Sequence, residues 1–341
     1  MKTYHNILLL FVALFFASTT YAQQKNEAKD LVDAGITLND AGKYDEAIEK
    51  YKEAIKLNPE YANAYYEIGY TLFSSGKEKD AIPYLEKVLV LNPNAGGAYD
   101  MLGSIYDDDK QTAKAIEYYR KGIKLDPEYQ RLYFNIAITL YREGQVAEAE
   151  GYAATAIKLD PKHASSHRIY AMTLAALQKR GCALLAWCSF IMKEPQTQRS
   201  IEAYNKIQGI LNYGIKKTGE KSININIAES DLKSGNLMLP LAIVNATSDK
   251  KGLTATDSLK LQLTEVFKIG STLYGDKGDA TFFNHYFADY FKKLAESENM
   301  EAFAHLVALA AKQDENVKWF KENENKLTAL DSWLANTKRE F

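Results

Sequence analysis

Two histidine-containing pairs in this sequence have a spacing that would place both side chains on the same face of a helix. Such pairs could bind a metal ion or transfer a proton. His163 and His167 stand four residues apart, so one helix face could present both imidazoles to a metal ion. His285 and Asp289 share this spacing and could act as an acid–base pair. His167, however, stands where a large packing residue is expected, and His285 lies among aromatic residues. We therefore expect both pairs to serve packing and hydrogen bonding.

The two cysteines, Cys182 and Cys188, fall six residues apart on one predicted helix. That separation is about 9 Å of helical rise, whereas a disulfide requires α-carbons within about 7 Å. We expect two free, packed thiols, which could not chelate a metal by themselves. The sequence also lacks the serine-hydrolase, zinc-protease, phosphate-loop and Cys-x-x-Cys motifs. These observations predict a protein that is not an enzyme and binds no metal or cofactor.

Composition narrows the class of partner. Hydrophobic residues make up 46% of the chain and charged residues 25%, which is typical of a soluble folded protein. The formal net charge is only -2, so the whole molecule has little electrostatic attraction for nucleic acid or an anionic membrane. We therefore expect no nucleic-acid partner.

The first 22 residues have the pattern of a secretory signal peptide. Met1 and Lys2 give a positive start, residues 7–17 are uninterruptedly apolar, and small residues lead up to Ala22. The apolar run is about half the roughly 20 residues that a spanning helix needs, so a retained anchor is the weaker alternative. We expect cleavage after Ala22, export to the periplasm or beyond the cell, and no transmembrane span in the mature chain.

A 34-residue period dominates the middle of the sequence. Small residues recur at two places in each period, as two helices that cross at close range require. The recurring residues are the prolines Pro59, Pro93, Pro127, Pro161 and Pro195, the alanines Ala47, Ala81, Ala115, Ala149 and Ala183, and the small residues Gly35, Gly69, Gly103, Ala137 and Ala171.

With this period and these positions, residues 28–195 resemble the tetratricopeptide-repeat (TPR) family. The resemblance implies an all-α solenoid of five helix–turn–helix repeats. The helical spacing of apolar residues between Thr197 and Ile215 predicts a further helix, over residues 196–216, that covers the last repeat. The expected repeats span 28–61, 62–95, 96–129, 130–163 and 164–195. Pro83 is predicted to fall in the first turn of its helix, where a missing amide donor is tolerated.

Residues 217–341 lack the period and are expected to form a mostly helical C-terminal domain. This arrangement is similar to the uncharacterised C-terminal regions of some exported bacterial TPR proteins. We expect a short strand over residues 221–227 and a turn over 276–279. Helices are expected from Thr281 and over residues 301–312 and 314–336.

The resemblance also implies where a partner binds, because TPR arrays present one face of each first helix to a concave groove. Carried over residue by residue, the groove comprises Asn63, Tyr66, Tyr70, Phe73, Asp100, Ser104, Arg131, Phe134, Tyr141, Arg142 and Arg168. The alternative for any one aromatic residue is burial by a neighbour or by the C-terminal domain. Val32, Ile36 and Glu67 replace residues of the TPR clamp that grips chaperone carboxylates, so we do not expect carboxylate capture.

Three functions remain open at this point. The first is a scaffold that binds a peptide or protein segment in the groove. The second is an enzyme with a catalytic C-terminal domain and a substrate-recruiting array. The third is a structural envelope component that assembles with itself, and the protein could form a homo-oligomer in either the first or the third case.

Overall fold

The computed structural model describes residues 23–218, 223–231, 235–248, 250–274 and 280–341. The predicted signal peptide and the turn predicted over residues 276–279 lie outside these ranges. The chain forms two compact units, one ending at Thr139 and the other spanning Leu140–Phe341. The units are described separately below.

The first unit consists of consecutive helix pairs. A helix over residues 23–40, α1, precedes the helices α2 (Tyr44–Leu57), α3 (Ala62–Ser74), α4 (Glu78–Leu91), α5 (Gly96–Asp108) and α6 (Thr112–Leu125). The next helix, α7 (Gln130–Arg142), begins in this unit and crosses its boundary. The helix–turn–helix repeats confirm the predicted all-α solenoid.

Each helix pair crosses where the sequence places a small residue. A β-carbon added at Gly69 on α3 would lie 2.6 Å from Leu85 Cδ2 on α4, so a larger side chain does not fit. The turn after α3 contains Gly76 with φ of +77°, a conformation that favours glycine. Pro83 was wrongly placed in a first turn. It is the sixth residue of α4, so the backbone forgoes one hydrogen bond there.

The second unit joins the last repeats to the C-terminal helices. Its array helices are α8 (Val146–Leu159), α9 (Ala164–Ala176) and α10 (Arg180–Lys193), followed by α11 (Gln198–Asn212). Two strands, β1 (Ile215–Lys217) and β2 (Ile223–Ile225), come next. The remaining helices are α12 (Leu239–Thr247), α13 (Ala255–Lys268), α14 (Thr281–Phe283), α15 (Asp289–Ala295), α16 (Met300–Ala308), α17 (Gln313–Glu322) and α18 (Glu324–Asn336).

The covering helix is shorter than predicted. Helix α11 packs on α10 and buries Ala203, Ile207 and Leu211, but it ends at Asn212 rather than residue 216. Gly214 follows with φ of +72°, which turns the chain out of the helix. Ile215, expected on the helix, instead pairs with Ile225 in an antiparallel β1–β2 ladder. The strand predicted over 221–227 therefore has a partner.

Two features of the C-terminal helices differ from the sequence prediction. Helix α13 was not predicted, although Thr254 and Asp257 form a capping box at its start. The single helix expected over 314–336 is broken at Asn323, whose φ of -132° interrupts the helical backbone between α17 and α18. The predicted aromatic helix is present as α14 and α15, joined by a π-helical turn over Asn284–Ala288.

The aromatic helix forms much of the core of the second unit. Phe283, Phe287 and Phe291 are fully buried, and Phe287 stacks on Tyr170 of α9 with ring centroids 5.4 Å apart. Arg339 covers the outer side of this helix, with its guanidinium carbon 4.0 Å from the centre of the Tyr290 ring. The predicted packing role of these aromatic residues is confirmed.

A buried ion pair fixes the start of α10 to the chain that follows β2. The two terminal nitrogens of Arg180 donate to the two carboxylate oxygens of Asp231 at 2.7 and 2.8 Å. Asn236 donates to the Gln178 carbonyl and accepts from the Gly181 amide. A β-carbon at Gly181 would lie 2.6 Å from Leu273 Cδ2, which explains why repeat five has a glycine away from its usual turn.

The remaining sequence candidates differ in burial. His285 and Asp289, predicted to serve packing and hydrogen bonding, are instead exposed on the aromatic helix. Cys182 and Cys188 are free and buried, as predicted. His167 is fully buried, with Nδ1 3.0 Å from the Ser189 hydroxyl and Nε2 3.1 Å from the Pro161 carbonyl oxygen. His163 instead pairs with the Ser166 hydroxyl at 2.8 Å. The two imidazoles thus have separate hydrogen-bond partners.

We expect Gly69→Leu to lower the free energy of unfolding by about 1–3 kcal/mol, because the new side chain overlaps Leu85 at the helix crossing. Urea unfolding of the purified protein measures the change. Gly151→Leu is the control, since Gly151 is exposed on α8 and a β-carbon there has nothing within 4 Å. Equal stability of the two variants would contradict the assigned repeat register.

The second unit should lose stability in mild acid. Burial holds the pKa of His167 well below its usual range, and the charges of Lys193 and Arg339 lower it further. The unfolded chain therefore binds more protons than the folded chain once the pH falls below about 6.5, and stability decreases there. Melting curves between pH 7.5 and 5 should show a smaller decrease for His167→Gln than for wild type. The exposed His285→Gln control should keep the wild-type decrease, and so would His167→Gln if this explanation were wrong.

Candidate functional site

The candidate groove residues of the first unit lie on α3, α5 and the beginning of α7. On α3, Asn63 is exposed, Tyr66 and Phe73 are half-buried, and the Tyr70 side chain is 42% exposed. Tyr66 packs beside the first turn of α5, where a β-carbon on Gly97 would lie 2.7 Å from the Tyr66 hydroxyl oxygen. Helix α3 therefore offers both a packed tyrosine and an exposed one.

Asp100 and Arg131 form an ion pair across two successive first helices. The Arg131 Nε lies 3.0 Å from one Asp100 carboxylate oxygen, and the Asn135 amide donates to the other at 2.6 Å. Asp100 is only 1% exposed, whereas the Arg131 side chain is 62% exposed. Burial raises the pKa of Asp100, while Arg131 and Asn135 oppose that rise. The positive charge of Arg131 is thus already balanced within the protein.

Ser104 on α5 contacts a side chain of its own repeat. Its hydroxyl lies 3.3 Å from the hydroxyl of Tyr119 on α6. The Tyr119 ring occupies the space beside Gly103, where any β-carbon would overlap it. Ser104 therefore completes the hydrogen bonding of a tyrosine that reaches through the helix crossing. Phe134 on α7 is half-buried.

In the second unit, three predicted groove residues have different surroundings. Tyr141 is half-buried and Arg142 is exposed at the end of α7. Arg168 on α9 donates to the Glu202 carboxylate on α11 at 3.3 Å. Arg168 is half-buried and Glu202 is exposed, so this ion pair contributes little to stability.

Sequence reasoning missed a hydrogen bond that recurs between first helices. The Thr71 hydroxyl donates to the Asn39 side chain at 2.9 Å, and the Thr139 hydroxyl donates to Asp107 at 3.2 Å. Both pairs join residues 32 apart. Polar residues 32 positions apart, two fewer than the 34-residue repeat, were the feature of the sequence that could have predicted these hydrogen bonds. The bonds connect the first helices of repeats one and two, and those of repeats three and four.

An apolar cleft of about 340 Å³ opens on the surface of the C-terminal helices. Leu306, Leu309, Val317, Phe320 and Leu327 line it, with Lys321 and Glu324 as its charged residues. This lining contains no histidine, cysteine, serine or threonine. Its side chains therefore resemble a packing surface more than a catalytic site.

The described residues contain neither a metal-ligand cluster nor a membrane-spanning helix. Within the described ranges, no group of three or more histidine, cysteine or acidic side chains is arranged to hold a metal ion. No helix in those ranges has the length and apolarity needed to cross a membrane.

The chain is similar to several solved TPR structures. YrrB, a TPR protein with an unusual peptide-binding site, is 23% identical with a TM-score of 0.43, and the match covers 55% of this chain and 97% of YrrB. PilF of Pseudomonas aeruginosa is 16% identical with a TM-score of 0.49, covering 55% and 90% of the two chains. TTC0263, a TPR protein of Thermus thermophilus, is 17% identical with a TM-score of 0.42, covering 54% and 98%.

Family models place the repeats on the sequence directly. No curated protein matches this chain. A model described as a TPR repeat matches residues 35–76, and a tetratricopeptide-repeat model matches residues 62–95 and 96–129. Another tetratricopeptide-repeat model matches residues 134–187. Residues 35–187 of this chain therefore consist of repeats of the tetratricopeptide-repeat family.

Proposed function

We propose that this protein is a non-enzymatic scaffold that binds an extended or helical segment of a partner protein along the first helices of its repeats. The TPR repeats support an interaction scaffold in general, and the exposed Tyr70 on α3 supports binding at the first helices of the first unit. A helical array can hold such a segment by giving apolar side chains aromatic surfaces and by fixing its register with charges.

The exposure of Tyr70 is the observation that carries this proposal. Of the exposed large apolar side chains in the described residues, Tyr70 is the one that lies on the first helix of a repeat. Its neighbours on α3 are Asn63, Phe73 and the half-buried Glu67. Aromatic residues at such positions dominate the energetics of many interfaces, because they bury a large area with little loss of side-chain freedom.

We expect Tyr70→Ala to weaken partner capture about tenfold or more while leaving the fold intact, because the side chain is exposed and its ring is the proposed anchor. The measurement is recovery of crosslinked partners from an envelope extract of the source organism. Val90→Ala is the matched control, since Val90 is exposed on the second helix of the same repeat. Equal recovery by both variants would place the binding site elsewhere.

We also propose that the protein is exported, with residues 1–22 acting as a cleaved signal peptide. The apolar run over residues 7–17 and the small residue Ala22 support the proposal. A periplasmic or external location would bring the groove to envelope or secreted proteins.

Cleavage after Ala22 should give a mature chain that begins at Gln23. Intact-mass measurement of the protein recovered from its natural cells tests this directly. Ala22→Arg should block cleavage, because the peptidase requires a small residue there, whereas Asn26→Arg should leave it unchanged. A wild-type chain that keeps Met1–Ala22 and stays in the cytoplasm would overturn the proposal.

A further inference from the structure

Two tyrosines occupy equivalent places in the first and third repeats. Tyr51 on α2 and Tyr119 on α6 are separated by two 34-residue periods. Each ring fills the crossing beside a glycine, Gly35 for Tyr51 and Gly103 for Tyr119, where any β-carbon would overlap the ring. Each hydroxyl is thereby directed through the crossing towards the side of the first helices.

The hydroxyls of Tyr51 and Tyr119 have different surroundings on the first-helix side of the crossing. The Tyr119 hydroxyl meets that of Ser104. The residue equivalent to Ser104 in the first repeat is Ile36, which has no polar side-chain atom. Tyr51 is fully buried, and its hydroxyl makes no hydrogen bond. Thr71 is the polar side chain beside the Tyr51 hydroxyl, and the Thr71 hydroxyl donates its hydrogen to Asn39.

Two carboxylates, those of Glu67 and Asp40, lie close enough to this buried hydroxyl for their charges to act on it. Burial, together with the charges of Glu67 and Asp40, raises the pKa of Tyr51 to about 12, while the neighbouring Thr71 side chain opposes the rise. Glu67 is itself half-buried, and burial followed by the charge of Asp40 raises its pKa. No ion pair within 4.0 Å joins Asp40 or Glu67 to a cation of the described chain, in contrast to Asp100 and its partner Arg131. The first and second repeats thus bring together two like charges and leave them uncompensated.

The charge of the neighbouring first helices has the same sign. Helices α3 and α5 contain no lysine or arginine. Their acidic residues are Glu67, Asp100, Asp107 and Asp108. Tyr70 lies three residues after Glu67, so the two side chains share one face of α3. A ligand at Glu67 would therefore meet an exposed aromatic ring beside the carboxylates.

We propose that the partner segment carries a lysine or arginine whose cationic group docks between Asp40 and Glu67, with the adjoining part of the segment packed on Tyr70. The inference rests on the proposed binding function and specifies its ligand as a basic peptide. The incoming cation would compensate both carboxylates, and a shift of the Glu67 side chain would let the Tyr51 hydroxyl donate to it. A peptide suits the site better than a bare metal ion, because the site supplies two carboxylates and an aromatic surface.

The test begins with a random twelve-residue peptide display library, panned on the purified protein. We expect the selected peptides to be enriched in lysine and arginine over the starting library. One selected peptide is then synthesised and its affinity measured by fluorescence anisotropy against wild type and variants. Its affinity should fall as salt is raised, because the proposed contact is between charges near the surface.

Three variants separate the charge inference from the binding function. Asp40→Asn with Glu67→Gln should weaken binding about 10- to 30-fold, while retaining side-chain shape. Glu46→Gln with Asp80→Asn is the matched control, removing two exposed carboxylates from second helices, and should leave binding unchanged. Tyr70→Ala reports whether the peptide occupies the proposed surface at all. Circular dichroism confirms that each variant is folded.

The outcomes are distinguishable. Basic peptides whose binding depends on both Tyr70 and the carboxylate pair would support the inference. Peptides lost with Tyr70→Ala but unaffected by Asp40→Asn with Glu67→Gln would overturn the charge inference and keep the binding function. Peptides unaffected by Tyr70→Ala, or no enrichment over uncoated beads, would overturn the binding function and the inference with it.

Discussion

The close crossing of paired helices is the constraint on which the array depends. At Gly35, Gly69 and Gly103 the partner side chain occupies the volume that a β-carbon would need. Since the interior is packed to crystal-like density, the residue at the crossing and the residue opposite must be chosen together. A glycine allows a tyrosine opposite it, and a tyrosine carries a polar atom through an otherwise apolar layer. Packing in the repeat core thus determines which polar groups reach the first helices.

The sequence was informative wherever structure follows from local pattern. The prolines, the small residues at the crossings and the aromatic spacing after Thr281 predicted the array and the buried aromatic helix. The break at Asn323 and the early end of α11 depend on backbone conformations at single residues, which periodicity does not record. Helix α13, by contrast, was readable and was missed. Thr254 and Asp257 form its capping box, and Leu259, Leu263, Val266 and Phe267 follow at the spacing of one helix face.

The candidate site was only partly predictable, because its electrostatics arise from residues distant in sequence. The groove positions of Asp100 and Arg131 follow from the repeat, but their mutual neutralisation depends on a contact between residues 31 apart in different repeats. The ion pair between Arg180 and Asp231 is likewise a contact between residues distant in sequence, here 51 residues apart. Neither partner's neighbours in sequence indicate the pairing, so charges that looked available for binding are in part structural.

Asp100 has a cation partner within the protein, whereas Asp40 and Glu67 have none among the residues that the structure describes. This difference affects which ligand the common repeat fold can bind. A buried carboxylate with its own cation, as at Asp100, holds two helices together and has little further charge to offer. A carboxylate pair without a cation costs folding energy through mutual repulsion, and any incoming cation recovers that energy as binding affinity. The crossing tyrosine makes the contrast sharper, since Ser104 satisfies its hydroxyl in the third repeat and Ile36 cannot in the first. The repeat fold therefore supplies the surface, and the local mismatch at Asp40, Tyr51 and Glu67 supplies a reason for it to prefer a positive ligand.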